Sequence, residues 1–373
     1  MKSLAFTARC MLALAACTGV PGTAAGNSEE VGTVRADATM NSPRAAHTAT
    51  TLADGTVLIV GGFVERETQI AGAELFNPAT GEFTLLPPML EPRHSHSATP
   101  LADGTILLAG GFGTGARYLS SAELYDPATR TFKAAADMAA ARTGHAAVPL
   151  EDGTVLLVGG AGDGWTFLAT AEIYDPAPAA FVQVGSMSAP RVALAAVRLQ
   201  NGRVLITGGH MGRRAAMVVH ATAEMYDPQT RRFEPAGEMI TGRHKHDAVL
   251  LQDGRVLVTG GIDASERGGP YASAELYDPA LGAFSATAAM QRPRYKHSGT
   301  SVVLEDGRVL LAGGAARPEL FDPGAEDFAL LPGEMQLAPS FSAVAQLADG
   351  SVVITGGYGS DIRPSAGVWI IRR

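Results

Sequence analysis

Cysteine is almost missing from this 373-residue chain: Cys10 and Cys17 are the only two. Beyond residue 17 the sequence therefore offers no disulfide, no thiolate metal site and no cysteine nucleophile. Aromatic residues are scarce at 6%, with two tryptophans, and charged residues stand at 18%. Basic residues are outnumbered, 29 against 37 acidic, for a net charge of −8. That balance argues against a nucleic-acid binder, which is basic overall or on one face. After the first seventeen residues no segment approaches the roughly 18 consecutive apolar residues of a membrane-crossing helix. Glycine, by contrast, is plentiful: 44 residues, about 12% against a usual share of about 7%. Together with 22 prolines it makes about 18% of the chain, below the roughly 25–30% of low-complexity disorder. With 46% hydrophobic residues there is ample material for a core, so the glycines punctuate a folded, turn-rich protein.

The N-terminus reads as an export signal. Lys2 and Arg9 form a basic n-region, and a short apolar stretch, 10–16, ends in Leu14-Ala15-Ala16-Cys17. Such a segment is too short to span a bilayer and has the pattern of a secretory signal. Leu-Ala-Ala-Cys resembles the lipobox of bacterial lipoproteins. The resemblance implies a signal over 1–17, lipidation at Cys17, a flexible tether over 18–30 and an address at the bacterial outer membrane or periplasm. A plain signal peptide cut near Thr23-Ala24-Ala25, giving a secreted protein, is the alternative.

Seven Gly-Gly pairs each close an apolar run: Gly61-Gly62, Gly110-Gly111, Gly159-Gly160, Gly208-Gly209, Gly260-Gly261, Gly313-Gly314 and Gly356-Gly357. Their spacings are 49, 49, 49, 52, 53 and 43 residues. A fixed period of this length marks a repeat architecture. In the second unit a first strand is predicted over 93–99, then an Asp103-Gly104 turn suited to positive-φ hairpin geometry. A second strand follows over 105–109, and a third over 122–125, closed by Asp126-Pro127. A fourth runs from Phe132 to near Met138.

Four short strands per unit with a Gly-Gly pair and a Tyr-Asp-Pro resemble the kelch repeat, over roughly 31–371. The resemblance implies an all-β, seven-bladed kelch β-propeller of four antiparallel strands per blade. Phenylalanine (Phe83, Phe132, Phe181, Phe233, Phe284 and Phe328) stands where the family carries a fourth-strand tryptophan, and fills the same apolar slot between blades. The repeats fall near 44–92, 93–141, 142–190, 191–242, 243–293, 294–338 and 339–371. The last lacks a fourth strand, and the orphan stretch 31–41 supplies one, because 34–40 repeats the six-residue step from Phe83 to Met89. A closed propeller over 31–373, exposing no inner edge strand, is the expectation.

Strand direction puts the Asp-Gly and Asp-Pro turns on one face, where the aspartates serve turn geometry. The opposite face carries the longer connections between second and third strands and between blades, and function concentrates in such loops. An arginine opens six units (Arg44, Arg93, Arg142, Arg191, Arg243 and Arg294), and each of the six has a third-strand glutamate: Glu74, Glu123, Glu172, Glu224, Glu275 and Glu319. In the seventh unit Pro339 and Gly367 replace both, so structural pairing explains them. Histidines three residues after the arginine (His47, His96, His145, His246 and His297) read as core imidazoles bonded to neighbouring backbone. His244-Lys245-His246 reads as a strand segment whose imidazoles share one face, a weak metal signal.

The candidate ligand-binding residues are those the repeat does not demand: Arg66, His94, Arg117, Trp165, His210, Arg213, Arg214, His244, Tyr271, Tyr295 and Arg363. No Ser/His/Asp spacing, phosphate loop or metal cluster accompanies them, so no catalytic residue, no metal and no cofactor is expected. Galactose oxidase and glyoxal oxidase carry copper on kelch-type propellers, but their radical site needs a cysteine the mature chain lacks. The expectation is a monomeric, non-catalytic binding or scaffold propeller that meets a carbohydrate or protein partner through its loop-rich face. It contacts no nucleic acid, and touches a membrane only through a lipid anchor. The alternative, by resemblance to the sialic-acid mutarotase, is acid–base epimerisation of an acidic sugar.

Overall fold

In the computed structural model, which describes residues 32–65, 68–264 and 268–372, each sequence unit becomes a four-stranded antiparallel sheet. The export signal, Cys17, the tether and Arg66 lie outside the described residues. Among those described, no helix is long and apolar enough to cross a membrane. The second blade shows the plan: Ser97–Pro100, Ile106–Ala109, Ala122–Asp126 and Thr131–Ala134, hydrogen-bonded in that order. Its second strand, Ile-Leu-Leu-Ala, is buried along its whole length. The apolar run therefore marks a strand covered on both faces by neighbouring blades.

The seventh blade is assembled from both ends of the chain. Val34–Thr39 pairs antiparallel with Gly367–Ile371, which is followed inward by Val352–Thr355 and Ala343–Gln346. Seven buried clusters fill the interfaces between consecutive blades. One joins Val57, Ile59 and Phe76 of the first blade to Val353, Val368 and Ile370 of the seventh. In six blades the fourth-strand phenylalanine packs on a third-strand aromatic ring at 4.8–5.0 Å, as Tyr125 on Phe132.

The Gly-Gly pairs are required by close approach as well as by backbone angle. Gly61 has φ +65°, and a Cβ there would lie 2.5 Å from the carbonyl oxygen of Arg93 in the next blade. That same oxygen accepts the Gly62 N–H at 2.9 Å, stitching one blade to the next. On the turn face the aspartates act as expected: Asp54 Oδ1, for example, accepts both the N–H and the hydroxyl of Thr56.

The arginine–glutamate pairs are buried ion pairs in all six blades, with N···O distances of 2.5–3.1 Å. Arg142 also donates to the carbonyls of Gly159 and Thr170, while Glu172 accepts the N–H groups of Ala139 and Ala140 in the linker from the preceding blade. The pair thus satisfies backbone groups at the blade edge, among them the Gly159 carbonyl and the two linker N–H groups. Arg142→Met should cost about 3–5 kcal/mol in chemical denaturation, because it strands a buried carboxylate. Replacing both partners by Met should not restore stability, since the Gly159 carbonyl and two N–H groups would remain unpaired. A double variant as stable as the parent would contradict this role.

One expectation needs correction. The strand does not begin at the arginine. Two residues later the backbone turns left-handed, at Ser95 with φ +52° and Lys245 with φ +54°, and the strand starts only beyond. His244 and His246 consequently do not share a face. The His244 ring lies 4.6 Å from that of His210, whereas His246 Nε2 bonds Thr207 Oγ1 of the preceding blade at 2.9 Å.

Candidate functional site

The segment after each arginine builds the centre of the loop-rich face in two tiers. The first residue of the segment makes an isolated bridge to the connection between second and third strands: Ala45 to Phe63, His94 to Phe112, Thr143 to Ala161, Val192 to His210, His244 to Ile262 and Ser340 to Tyr358. The next residue is left-handed in every blade: Ala46, Ser95, Gly144, Ala193, Lys245, Lys296 and Phe341, with φ between +51° and +60°. These seven form a closed collar of backbone hydrogen bonds. Ser95 donates to Ala46, Gly144 to Ser95, Ala193 to Gly144, Lys245 to Ala193, Lys296 to Lys245, Phe341 to Lys296 and Ala46 to Phe341, over 2.9–3.3 Å.

Above the collar, the second-to-third connections of the first four blades rise into two-stranded hairpins, such as Phe112–Gly113 with Arg117–Tyr118 and His210–Met211 with Val218–Val219. Collar and hairpins enclose a cavity of about 510 Å³. Its lining is mainly aromatic and aliphatic: Phe63, Phe112, Tyr118, Trp165, Val192, Met217, Phe341 and Tyr358. Two imidazoles, His94 and His210, and three cations, Arg213, Arg214 and Lys245, complete it; no described carboxylate belongs to the lining. The volume falls within the roughly 300–1,000 Å³ of small-molecule sites, which are likewise mostly apolar with a few polar groups.

Five of the candidate residues meet here: His94, Trp165, His210, Arg213 and Arg214. The Arg213 guanidinium lies 4.1 Å from the Trp165 ring centroid, a stacked cation–π pair at the rim. Burial holds the His94 imidazole down at about 4, so it is neutral at physiological pH. It packs edge-on against Phe63, and its Nδ1 lies 3.0 Å from Ser95 Oγ. His244 sits fully buried behind His210, its pKa lowered to about 3 chiefly by burial. The remaining described candidates stand outside the lining. Arg117 is exposed and pairs with Glu91 at 2.6 Å. Tyr271 packs over the Arg243 guanidinium, and Tyr295 against Lys296. Arg363 is exposed, in a turn where its N–H donates to Asp361.

Lys245 and Lys296, two collar residues, were not among the candidates. Lys296 Nζ donates to Tyr358 Oη at 2.9 Å and lies within 4.8–5.4 Å of the Tyr295, Phe341 and Tyr358 rings. The signal was present as the second residue after each repeat arginine, once that position is known to face the axis. The repeat histidines are core groups, as expected, but four of the five bond a neighbouring blade's hydroxyl rather than its backbone: His47 to Thr355, His96 to Thr48, His145 to Ser97 and His246 to Thr207. Only His297 meets a carbonyl, that of Thr259.

Seven four-stranded blades around an axis, closed by strands from both chain ends and capped by a ligand-sized cavity, define a β-propeller. A model of the Kelch motif matches residues 93–139, within the second repeat, and the same residue frame recurs around the ring: the chain is a kelch-repeat β-propeller. The fold is similar to a solved structure described as a novel fungal alcohol oxidase with catalytic diversity among the AA5 family, in complex with copper. The TM-score is 0.73 at 17% identity, covering 92% of this chain and 76% of that one. At this identity the likeness is one of fold. No curated protein matches the sequence. Among the described residues no three His, Cys, Asp or Glu side chains converge, and no cysteine lies beyond residue 17 to supply the cross-link of such a radical site.

Proposed function

We propose that this protein is a non-catalytic binding propeller, exported and lipid-anchored through Cys17, that takes a glycan in the axial cavity of its loop-rich face. The observation that carries the reading is the cavity itself: about 510 Å³, centred on the collar and walled by aromatic rings. Aromatic faces offer rigid apolar area to a sugar ring, and Trp, Tyr and Arg are the side chains on which binding energy concentrates. Turnover is disfavoured by the same lining. Acid–base exchange at an anomeric centre needs groups that titrate near neutral pH. Burial holds His94 at about 4, and no described carboxylate belongs to the lining.

Trp165 is 42% exposed at the rim, so its removal costs little folding energy. Trp165→Ala should weaken binding of a glycan selected from an array by about 10- to 100-fold, with the thermal midpoint unchanged. Titration calorimetry and scanning calorimetry read the two quantities separately. Absence of any glycan binding, or anomer interconversion seen by exchange NMR, would overturn the reading.

A further inference from the structure

We infer that the group entering this cavity is an aromatic ring, carried as the aglycone of an aryl glycoside, with the sugar held at the rim by Trp165 and Arg213. The inference rests on the glycan-binding reading above and adds which end of the ligand goes in first.

The floor is the first support. A sugar ring carries a hydroxyl on most of its carbons, and each needs a partner once water is removed. The collar has already spent its own groups: each of its seven residues donates its N–H to one neighbour and accepts from the other. The bridged residues above it, such as His94 with Phe112 and Thr143 with Ala161, exchange both backbone bonds between themselves. The hydroxyls there are engaged too. Ser95 Oγ lies 3.0 Å from His94 Nδ1, Thr143 Oγ1 donates to the Ser95 carbonyl at 3.4 Å, and Tyr358 Oη accepts from Lys296 at 2.9 Å. Lys245 is engaged within the protein. Such a floor suits a group that asks for no hydrogen bond.

The walls are the second support. From Phe341 through Tyr358, Phe63, His94, Phe112 and Tyr118 to Trp165, each ring contacts the next, with centroids 5.0–6.1 Å apart. These rings line the seventh, first, second and third blades without a break. The fourth blade, across the axis from the seventh and first, faces them with Val192 and Met217. Between the two walls the collar side chains are small: Ala46, Ser95, Gly144 and Ala193. A slot of this kind takes a flat ring, which pairs with other rings at about 4.5–7 Å and packs well against a thioether.

The third support is where the polar groups stand. Tyr118 Oη is buried in the wall with no hydrogen-bond partner among the described residues. An unpaired buried hydroxyl is costly, and the oxygen joining an aromatic ring to a sugar would accept from it. Arg213 and Arg214 are exposed at the hairpin tip, with Arg213 stacked on Trp165. Donors at the rim and rings below orient the ligand, its sugar outermost and its flat ring within.

The test uses the full chain with phenyl, hexyl and methyl β-D-glucosides, titrated calorimetrically at low and at about 0.5 M salt. Phenyl glucoside should bind roughly tenfold or more tightly than methyl glucoside, and keep that margin in high salt because no ion pair creates it. It should also exceed hexyl glucoside, which offers apolar area without a flat ring. Tyr118→Phe should lower phenyl glucoside affinity by about three- to tenfold. Met217→Asp, which sets a carboxylate in the slot from a half-buried hairpin position, should erase the margin and leave the thermal midpoint in place. Hexyl glucoside bound as tightly as phenyl, or an aryl margin untouched by both variants, would overturn the inference. Equal affinity for phenyl and methyl glucosides would overturn it and leave glycan binding standing. Failure of phenyl glucoside to bind would overturn it as well, and with a silent glycan array the glycan reading falls too.

Discussion

Acidification from pH 7 to about 5 should unfold this propeller, with a steepness set by its buried histidines. His47, His96, His145, His246 and His297 occupy one equivalent position in five blades, and His246 and His297 are fully buried. Burial, reinforced by the adjacent repeat arginine, lowers His145 and His297 to about 3 and holds the other three well below the usual 6.5. The unfolded chain therefore takes up protons as pH falls through about 6.5, while the folded chain keeps these imidazoles neutral well below that, His145 and His297 until about 3. Their stabilisation is fully present above about pH 6.5 and is lost progressively below it. Burial lowers His94, His220 and His244 as well, and each histidine contributes a slope of about 1.4 kcal/mol per pH unit, so the eight give roughly 11, against a total stability of about 5–15 kcal/mol for a typical domain. Asp247, whose carboxyl burial raises, opposes this by one proton at most. The fourth blade supplies the control. There Leu194 packs over the first glycine of the preceding blade's pair, Gly159, where His145 packs over Gly110. His145→Leu should fold normally at pH 7 and reduce the acid slope by about one eighth. Far-UV circular dichroism against pH, at several urea concentrations, measures that slope. A structure unchanged down to pH 4, or a slope indifferent to His145→Leu, would contradict the account.

The architecture was open to reading because its demands recur. A backbone that needs two consecutive positive-φ residues at the edge of six blades, and one, Gly314, in the sixth blade, writes Gly-Gly seven times, and the joint loss of arginine and glutamate at Pro339 and Gly367 exposed their pairing. The orphan stretch before Arg44 could be assigned because it repeats the spacing to a buried methionine, Met40, that other blades share as Met89 and Met138. The strand start was misplaced for the opposite reason. The left-handed collar residues are Ala, Ser, Lys and Phe as well as Gly, and only closure of the hydrogen-bonded ring holds them there. No local residue type announces that conformation, so Lys245 and Lys296 were not recognised as axial. Choosing loop residues that the repeat does not demand found Trp165, Arg213, His210 and His94. It equally selected Arg117 and Tyr271, whose side chains turn to Glu91 and Arg243. Which way a hairpin side chain points depends on its register and on the short 3₁₀ turn at its tip. At those tips Trp165 and Arg214 have positive φ that their residue types do not favour.

Deleting residues 31–41 should abolish the cooperative thermal transition or lower its midpoint by more than about 10 °C. The propeller is a circle closed without a covalent bond, and Val34–Thr39 is the clasp. Val34 and Met40 are buried to 4% and 3% exposure in two different interfaces, one with the sixth blade's Leu310 and Leu320 and one with the first blade's Val57 and Phe76. Burying each such side chain is worth about 1.5–3 kcal/mol. The backbone extends the clasp, with Gly32 donating to Arg372 and Met40 to Ala366. Asn41 gives both its N–H and its amide to Glu74, the partner of Arg44. Removing the segment would bare the edge of Gly367–Ile371, loosen the first buried ion pair and open the interfaces on both sides of the seventh blade. The collar bond from Ala46 to Phe341 crosses that same junction, so the floor of the cavity should open with it. Trp369, in the bared strand, and Trp165, at the cavity rim, are the only tryptophans. In a Trp165→Phe background, the emission of Trp369 alone reports the closure. Adding the 31–41 peptide in excess to the deleted protein should shift that emission back and restore the transition, because the missing strand is bound without covalent linkage. A deleted protein that melts like the parent would refute closure by this strand. Loss of the transition without rescue by the peptide would point instead to a strand that must be present during folding to register the seventh blade.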